Sequence, residues 1–208
     1  MILIGQYDSP FVRRVGVALR LYNLPFEHRG WSTFGDAGKL RAYNPLTRVP
    51  TLVLNDGFVL IDSHIILDYL DSLVPEDRAM FPMVEPARRH VLKAATLATG
   101  LAEKAVSLFY EGRMHDVVSA EWAERCQTQI ASVLRVIEAD RRQKPGPCWM
   151  GDRISHADIA LTCALRFLRE VHGGLFDPAA YPALAAHADH HEAMAVFQDI
   201  SQAFTPPD

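Results

Sequence analysis

The sequence has few cysteines, and their positions exclude two kinds of small protein. Only three occur in 208 residues, at positions 126, 148 and 163, and no C-x-x-C pair is present. An odd number of widely spaced thiols builds neither a disulfide framework nor a zinc knuckle. We therefore expect free thiols and a cytoplasmic location, where the cytosol is reducing.

The sequence also lacks an excess of basic charge and a long apolar run. Lysine and arginine total 21 against 25 acidic residues, which gives a net charge of −4. Nucleic acid therefore gains no electrostatic attraction, and we exclude it as the main partner. No apolar stretch approaches the ~18 residues that cross a bilayer, and the N-terminus does not have the basic start of a signal peptide. We expect no membrane partner.

The first part of the chain alternates short apolar runs with segments of helical periodicity. The pattern predicts strands at 1–6, 25–29, 51–54 and 58–61, and helices at 10–22, 37–43 and 63–73. Asn55-Asp56-Gly57 is typical of a hairpin turn, and Asn44-Pro45 ends the second helix because the residue before proline avoids helical geometry. The order β-α-β-α-β-β-α predicts a thioredoxin-like domain over residues 1–74.

The rest of the chain shows helical periodicity and no strand pattern. Prolines 75, 82 and 86 mark a polar linker over residues 75–86, and an all-helical domain follows over 87–208. The predicted helices span 87–111, 119–142, 155–172, 182–192 and 194–204. The expected fold is therefore an α/β thioredoxin-like N-terminal domain followed by an all-α C-terminal domain.

A serine occupies the first predicted strand-to-helix junction. Ser9 directly precedes Pro10, so its hydroxyl should lie beside the unpaired N–H groups and the positive end of the helix dipole, where a thiolate is stabilised. Taken alone, the two residues favour a simple helix cap, because serine followed by proline is a common helix start.

Two further segments carry polar groups at the ends of predicted elements. Val49-Pro50 lies directly before a strand, and a cis proline there would expose the preceding backbone to a ligand. Asp62-Ser63 opens the third helix and offers a carboxylate, a hydroxyl and free N–H groups. The alternatives are a turn proline and another helix cap.

Two features of the helical domain have structural interpretations. Ser155 and Asp158 form a capping box at the start of a helix. His187, His190 and His191 share one helix, but the H-E-x-x-H pattern of metalloproteases is absent. A solvated histidine face is the favoured interpretation, and we expect no metal site.

Together, four segments resemble the glutathione S-transferases over essentially the whole chain. They are Ser-Pro-Phe-Val-x-Arg-Val from Ser9, Asn44-Pro45 with Val49-Pro50-Thr51-Leu52, Asp62-Ser63 with Tyr69-Leu70, and Gly151-Asp152-x-x-Ser155-x-Ala157-Asp158. The first segment is most similar to the serine-type classes such as tau. No cysteine lies near position 9, which argues against the cysteine-type thiol oxidoreductases of the family.

The resemblance implies glutathione as co-substrate and a role for each matched residue. Ser9 would hold the glutathione sulfur as thiolate, and Val49, before a cis Pro50, would pair with the cysteinyl backbone. Asp62 and Ser63 would bind the γ-glutamyl end, with Ser63 taking its carboxylate. Arg48 would contact the glycyl carboxylate, although relatives carry Lys or Gln at this place.

The resemblance also implies a pocket for a small hydrophobic electrophile, formed with the helical domain. The side chains expected near it are Phe11, Phe109, Tyr110, Arg113 and His115. The expected activity is attack of the glutathione thiolate on such an electrophile, and the expected assembly is a homodimer. A glutathione-dependent isomerase or dehalogenase, and a non-catalytic binding or scaffold protein, are the alternatives.

Tyr7 is the alternative to Ser9 as the activating group. Some classes of the family use a tyrosine near this point, and a phenol is the better acid. The helix start at Pro10 favours Ser9, since Tyr7 should still belong to the strand.

Overall fold

The computed structural model describes residues 1–144 and 146–206. The four strands are β1 (Ile2–Ile4), β2 (Glu27–Arg29), β3 (Thr51–Val53) and β4 (Val59–Ile61). The helices are α1 (Pro10–Leu21), α2 (Ala37–Arg41), α3 (Ser63–Asp71), α4 (Ala87–Met114), α5 (Ala120–Arg142), α6 (His156–Val171), α7 (Pro182–Glu192) and α8 (Ala195–Asp199). Short 3₁₀ helices occur at Glu76–Arg78 and Gly173–Leu175.

The strands form one mixed sheet in the order β2-β1-β3-β4. β1 runs parallel to β2, as the intervening α1 crossover requires, and antiparallel to β3. Leu3 pairs with His28 on one side and with Leu52 on the other. The predicted hairpin joins β3 to β4, with Leu52 opposite Leu60. The thioredoxin-like N-terminal domain and the helical C-terminal domain are therefore confirmed.

Helix α1 lies where the two domains meet. Ser9 caps it and Pro10 takes its first position, so the chain turns into the helix immediately after the loop that follows β1. Its apolar side chains Val12, Val15 and Leu19 are buried. Because α1 contacts both α3 and α6, residues at its N-terminus are held between the sheet domain and the helical domain.

Helix α6 is the buried centre of the helical domain, contacting α1, α4 and α7. The predicted capping box starts it: Asp158 Oδ2 accepts hydrogen bonds from Ser155 N at 2.8 Å and from Ser155 Oγ at 2.6 Å. Asp158 Oδ1 also accepts from Trp149 N at 2.5 Å. The structural interpretation of this segment is confirmed.

The predicted helix over 194–204 is wrong in its second half. α8 ends at Asp199, and residues 201–206 form no helix. The backbone N–H groups donate instead to side chains that are distant in sequence. Phe204 N donates to Glu170 Oε2 at 3.0 Å, and Thr205 N donates to Asp8 Oδ2 at 3.1 Å. The last described residues therefore form a strap that returns to the start of α1.

The solvated histidine face expected on α7 is also wrong. His187 and His191 are buried, because α7 lies against α5 and α6, and only His190 of the three is exposed. His191 Nδ1 lies 2.9 Å from the carbonyl of His187. The two rings form part of the interior of the helical domain.

Candidate active site

Ser9 stands on the wall of a cavity of about 470 Å³ between the two domains. Its backbone is extended, with φ −69° and ψ 122°, and its Oγ accepts a hydrogen bond from Val12 N at 3.4 Å. Since the hydroxyl oxygen is the acceptor in that bond, its proton stays available to a group in the cavity. The side chain therefore caps α1 and also offers a donor to the cavity.

The wall of this cavity is largely aromatic. Phe109 and Tyr110 of α4 lie on it, and Phe204 of the strap meets Phe109 edge-on with ring centroids 5.1 Å apart. Phe34, from the loop between β2 and α2, contacts Tyr110 at 5.8 Å. The full set of aromatic side chains on the wall is Phe11, Trp31, Phe34, Phe109, Tyr110, Phe167 and Phe204. Such a surface suits an apolar guest.

A smaller cavity of about 120 Å³ adjoins the first, because Phe11, Arg48 and Val49 line both. Pro50, Asp62 and Ser63 also lie on its wall. The Val49–Pro50 peptide bond is cis, as expected. The residues that the sequence assigned to glutathione binding are thus brought together beside Ser9.

Asn44 organises the loop before Pro50. The sequence did not predict this role. This buried amide donates from Nδ2 to the carbonyl of Arg48 and to Thr51 Oγ1, both at 3.0 Å. Its Oδ1 accepts from Leu46 N at 3.0 Å. The bonds hold the loop that carries Arg48 and Val49. In the sequence, Asn44-Pro45 predicted only the end of the second helix.

Asp62 and Ser63 form the start of α3. Asp62 has a positive φ of 72°, and its Oδ1 accepts from His64 N at 2.8 Å. Ser63 is buried on the cavity wall, and its Oγ accepts a hydrogen bond from Arg14 Nη1 at 3.3 Å. A guanidinium therefore stands behind the helix N-terminus, and both features favour an anion at this end of the site.

Arg14 is a candidate site residue, because its guanidinium contacts Ser63, and the sequence did not indicate it. It is only 1% exposed, and burial lowers the pKa of its guanidinium to about 10, an effect that the negative charge of Asp62 partly offsets. Nε and Nη2 have no hydrogen-bond partner in the described chain. The arginine of the Ser-Pro-Phe-Val-x-Arg-Val segment was the available signal, but arginine is rarely buried, so sequence alone did not indicate its place.

Tyr7 faces away from both cavities in the described structure. Its ring stacks on His28 with centroids 3.8 Å apart, and its backbone N donates to Gln202 Oε1 at 3.2 Å. Burial raises the pKa of the phenol to about 12, partly offset by the charge of Arg20. A phenol with that pKa and orientation is a poor candidate for activating a thiol.

Three of the five expected pocket residues line the larger cavity, and two do not. Phe11, Phe109 and Tyr110 are on its wall, whereas Arg113 and His115 are absent from the described lining. Arg113 lies about one turn beyond Phe109 near the end of α4, and His115 directly follows the helix as its C-cap. His115 is 60% exposed and pairs with Glu111 Oε2 at 3.0 Å. The described cavity wall does not include these two residues, and their part in the pocket stays a prediction.

No cysteine lies on the described walls of either cavity. Ligand atoms of Cys148, Asp158 and His191 lie within 4.8 Å of one another, a spacing that could hold a metal ion. However, the Asp158 oxygens already accept from Ser155 and Trp149, and burial raises the pKa of the Cys148 thiol to about 11. The Asp158 carboxylate is therefore already hydrogen-bonded at the start of α6. The expected lack of a metal stays a prediction.

The fold and the site define a class of protein: a thioredoxin-like domain with a serine at its first helix start, facing a helical domain across an aromatic cleft. A family model described as the N-terminal domain of glutathione S-transferase matches residues 3–78. The corresponding C-terminal domain model matches residues 120–190. The chain belongs to the glutathione S-transferase family.

Individual relatives agree with this assignment. The uncharacterized GST-like protein YibF of Escherichia coli is 30% identical over 172 residues, which cover 81% of this chain and 82% of that protein. The probable glutathione S-transferase GSTU6 of Oryza sativa is 26% identical over 209 residues, which cover 92% of this chain and 84% of that protein.

Within the described residues, no helix has the length and apolar character to cross a membrane.

Solved structures are similar over nearly the full length. A glutathione S-transferase of Methylobacterium radiotolerans in complex with glutathione sulfonate gives a TM-score of 0.89 at 28% identity, covering 100% of this chain and 98% of that one. One from Methylobacillus flagellatus with glutathione bound gives 0.88 at 27% identity, covering 96% and 98%.

Proposed function

We propose that this protein is a cytoplasmic glutathione transferase that joins the sulfur of glutathione to a small hydrophobic electrophile. The observation that carries the proposal is the position of Ser9: it stands at the N-terminus of α1 on the electrophile cavity, beside the smaller cavity formed by Val49, Asp62 and Ser63. The two similar structures that hold glutathione or its sulfonate support glutathione as the ligand.

Ser9 activates the thiol by stabilising its anion. A thiol with a pKa near ~8.5 is mostly protonated at neutral pH, and each unit of depression needs about 1.4 kcal/mol. One hydroxyl donor and the dipole of α1 supply energies of that order. The serine stays neutral throughout, and the proton leaves the sulfur for solvent. The thiolate sulfur then forms a bond to the electrophilic carbon held among the aromatic side chains. In a displacement the leaving group departs with its bonding electron pair, and in an addition the π electrons move onto the electrophile, which takes a proton from solvent.

The other end of glutathione binds at α3. The γ-glutamyl carboxylate accepts from the Ser63 hydroxyl at the helix N-terminus, with the Arg14 guanidinium behind it, and the γ-glutamyl ammonium pairs with Asp62. The backbone of Val49 pairs with the cysteinyl backbone. Arg48, on the wall shared by both cavities, takes the glycyl carboxylate.

We also propose a homodimer. Several large apolar side chains are exposed on the sheet domain and at the start of α4: Leu46, Phe58, Ile65, Met83, Val84 and Leu92. Phe58, at the tip of the β3–β4 hairpin, is 61% exposed. Arg88 of α4 reaches Asp68 of α3 at 3.5 Å, so these surfaces neighbour one another. Size-exclusion chromatography with light scattering of the chain and of Phe58→Ser tests this assembly.

The test of function is a calorimetric titration with glutathione followed by turnover on a panel of electrophiles. The proposal predicts binding and conjugation, with products identified by mass spectrometry. Release of isomerised or dehalogenated products with glutathione regenerated would assign one of the alternative reactions. Binding without turnover of any electrophile would favour a scaffold protein and contradict the proposal.

A further inference from the structure

We propose that Asp8 makes the electrophile cavity selective for compounds that carry a cationic group on an apolar or aromatic body. The inference rests on the proposed function and names its substrate class. Asp8 directly precedes Ser9 and lines the same larger cavity, so its charge acts on the compound that occupies this cavity.

Asp8 has no cationic partner in the described chain. Its Oδ2 accepts a hydrogen bond from Thr205 N at 3.1 Å, and the backbone N–H groups of Ser9 and of Asp8 itself also stabilise its charge. No described Lys, Arg or His forms an ion pair with it. A half-buried carboxylate without a counter-ion loses solvation, and these backbone hydrogen bonds offset only part of that loss. Burial accordingly raises the pKa of Asp8, and the negative charge of Glu170 raises it further.

The surroundings of the carboxylate fit an ammonium or another organic cation. The cavity that Asp8 lines also presents Phe34, Phe109 and Phe204, whereas the Trp31 ring on the same wall already has Arg29 and Lys39 over it. Aromatic rings attract cations through their negative faces, and a carboxylate beside such rings adds direct charge pairing. The one basic side chain on the described wall is Arg48, which we assign to the glycyl carboxylate of glutathione.

The charge of Asp8 also bears on the thiolate. A carboxylate next to Ser9 repels the thiolate of glutathione, and a neutral electrophile does not reduce this repulsion. A cationic electrophile offsets both negative charges at once. Asp8 therefore favours the bound cation over an uncharged compound of the same shape.

The reaction for such a compound balances as a displacement. With 4-(trimethylammoniomethyl)benzyl chloride, the thiolate sulfur attacks the benzylic carbon and forms the C–S bond while the C–Cl bond breaks. Chloride leaves with the bonding electron pair, and the ammonium group is unchanged. The uncharged comparison compound is 4-neopentylbenzyl chloride, which has the same shape.

The test measures binding of the two glutathione conjugates that these chlorides form, so it does not depend on turnover. Calorimetry on the wild type should show that the cationic conjugate binds at least about tenfold more tightly than the neopentyl conjugate, the size expected of a desolvated cation–π contact. Asp8→Asn keeps an acceptor for Thr205 N but removes the charge, and should abolish the preference while neopentyl binding stays within about twofold. Added salt should reduce the preference of the wild type.

Other outcomes overturn the inference in distinguishable ways. Equal affinities of the wild type for the two conjugates, with glutathione still bound, would contradict the cationic subsite and leave the proposed function intact. Equal weakening of both conjugates by Asp8→Asn would show that the carboxylate does not select by charge and would contradict the cationic subsite. Failure of glutathione and both conjugates to bind would contradict the proposed function as well.

Discussion

His156 Nε2 donates a hydrogen bond to Asp71 Oδ1 at 2.8 Å, which joins the first residue of α6 to the last residue of α3. Asp71 also accepts from the Tyr22 hydroxyl and, at 2.8 Å, from Phe81 N, while the Tyr22 oxygen accepts from Met80 N at 2.8 Å. One carboxylate therefore ties the sheet domain, the segment after it and the helical domain together. The cleft between the domains depends on this junction.

Replacing His156 with leucine should destabilise the whole protein. The change leaves buried Asp71 without one of its three donors, and such a loss costs about 1 to 3 kcal/mol, more for a charged group. Urea denaturation at pH 7.5 measures it. His190→Leu is the matched control, since this histidine is exposed on α7. Equal stability of the two variants would contradict a structural role for the junction.

The free energy of unfolding should fall as the pH drops below about 6.5, the ordinary pKa of histidine. Burial lowers the pKa of His156, His187 and His191 in the folded state, so the unfolded chain binds more protons in this range. Each of the three rings has one nitrogen without a partner in the described chain, so protonation buries an unpaired N–H. The contribution of the three neutral histidines to stability is therefore fully present above pH 6.5, and it is lost as the pH falls toward their lowered pKa values.

Urea denaturation at pH 7.5 and 5.5 measures this decline. Each proton of difference contributes about 1.4 kcal/mol per pH unit. His187→Gln removes one of the three titrating groups and should flatten the decline. Equal or greater stability at pH 5.5 than at pH 7.5 would show that these histidines do not titrate as their burial requires.

Asp158→Ala should lower stability by about 3 kcal/mol and leave glutathione affinity unchanged. A surface helix cap is worth only about 1 kcal/mol, but buried Asp158 accepts from Ser155 N, Ser155 Oγ and Trp149 N. Thermal melting and a glutathione titration on the same sample measure both quantities. A change in affinity with an unchanged melting temperature would oppose this account.

Ser63→Ala should weaken glutathione binding by about 1.5 to 3 kcal/mol, the range for a lost hydrogen bond to a charged group. The control is Ser72→Ala at the other end of α3, where the hydroxyl donates to the Tyr69 carbonyl at 2.6 Å. Calorimetry should separate the two variants. Unchanged affinity in Ser63→Ala would reduce Ser63 to a structural residue.

Local patterns in the sequence were sufficient to predict the fold. A set of short segments was sufficient to predict most of the candidate site. The turn at Asn55-Asp56-Gly57 and the Ser9-Pro10 helix start are local signals, so both were predictable. The strap was not, because Asp8 and Glu170 reach it from distant parts of the chain. Burial of Arg14 likewise depends on tertiary contacts that no local pattern encodes.

α7 illustrates the same limit. Its alanine-rich sequence has no clear apolar stripe, so the side facing the interior could not be read from periodicity. His187 and His191 were consequently taken as solvated. The resemblance placed Arg113 and His115 near the pocket, but the described cavity wall on α4 includes Phe109 and Tyr110 and not these two residues.

The central claim is that the Ser9 hydroxyl holds the glutathione sulfur as thiolate, and titration of thiolate absorbance against pH in the glutathione complex tests it most directly. Ser9→Ala should raise the pKa of the bound thiol and reduce turnover at neutral pH at least about tenfold, which corresponds to roughly 1.4 kcal/mol. Tyr7→Phe should change neither by much. Ser119→Ala controls for loss of a cap, since Ser119 caps α5 with the same kind of bond, accepted from Trp122 N at 3.3 Å. An unchanged thiol pKa in Ser9→Ala, with a raised one in Tyr7→Phe, would contradict the account and assign the activation to the tyrosine.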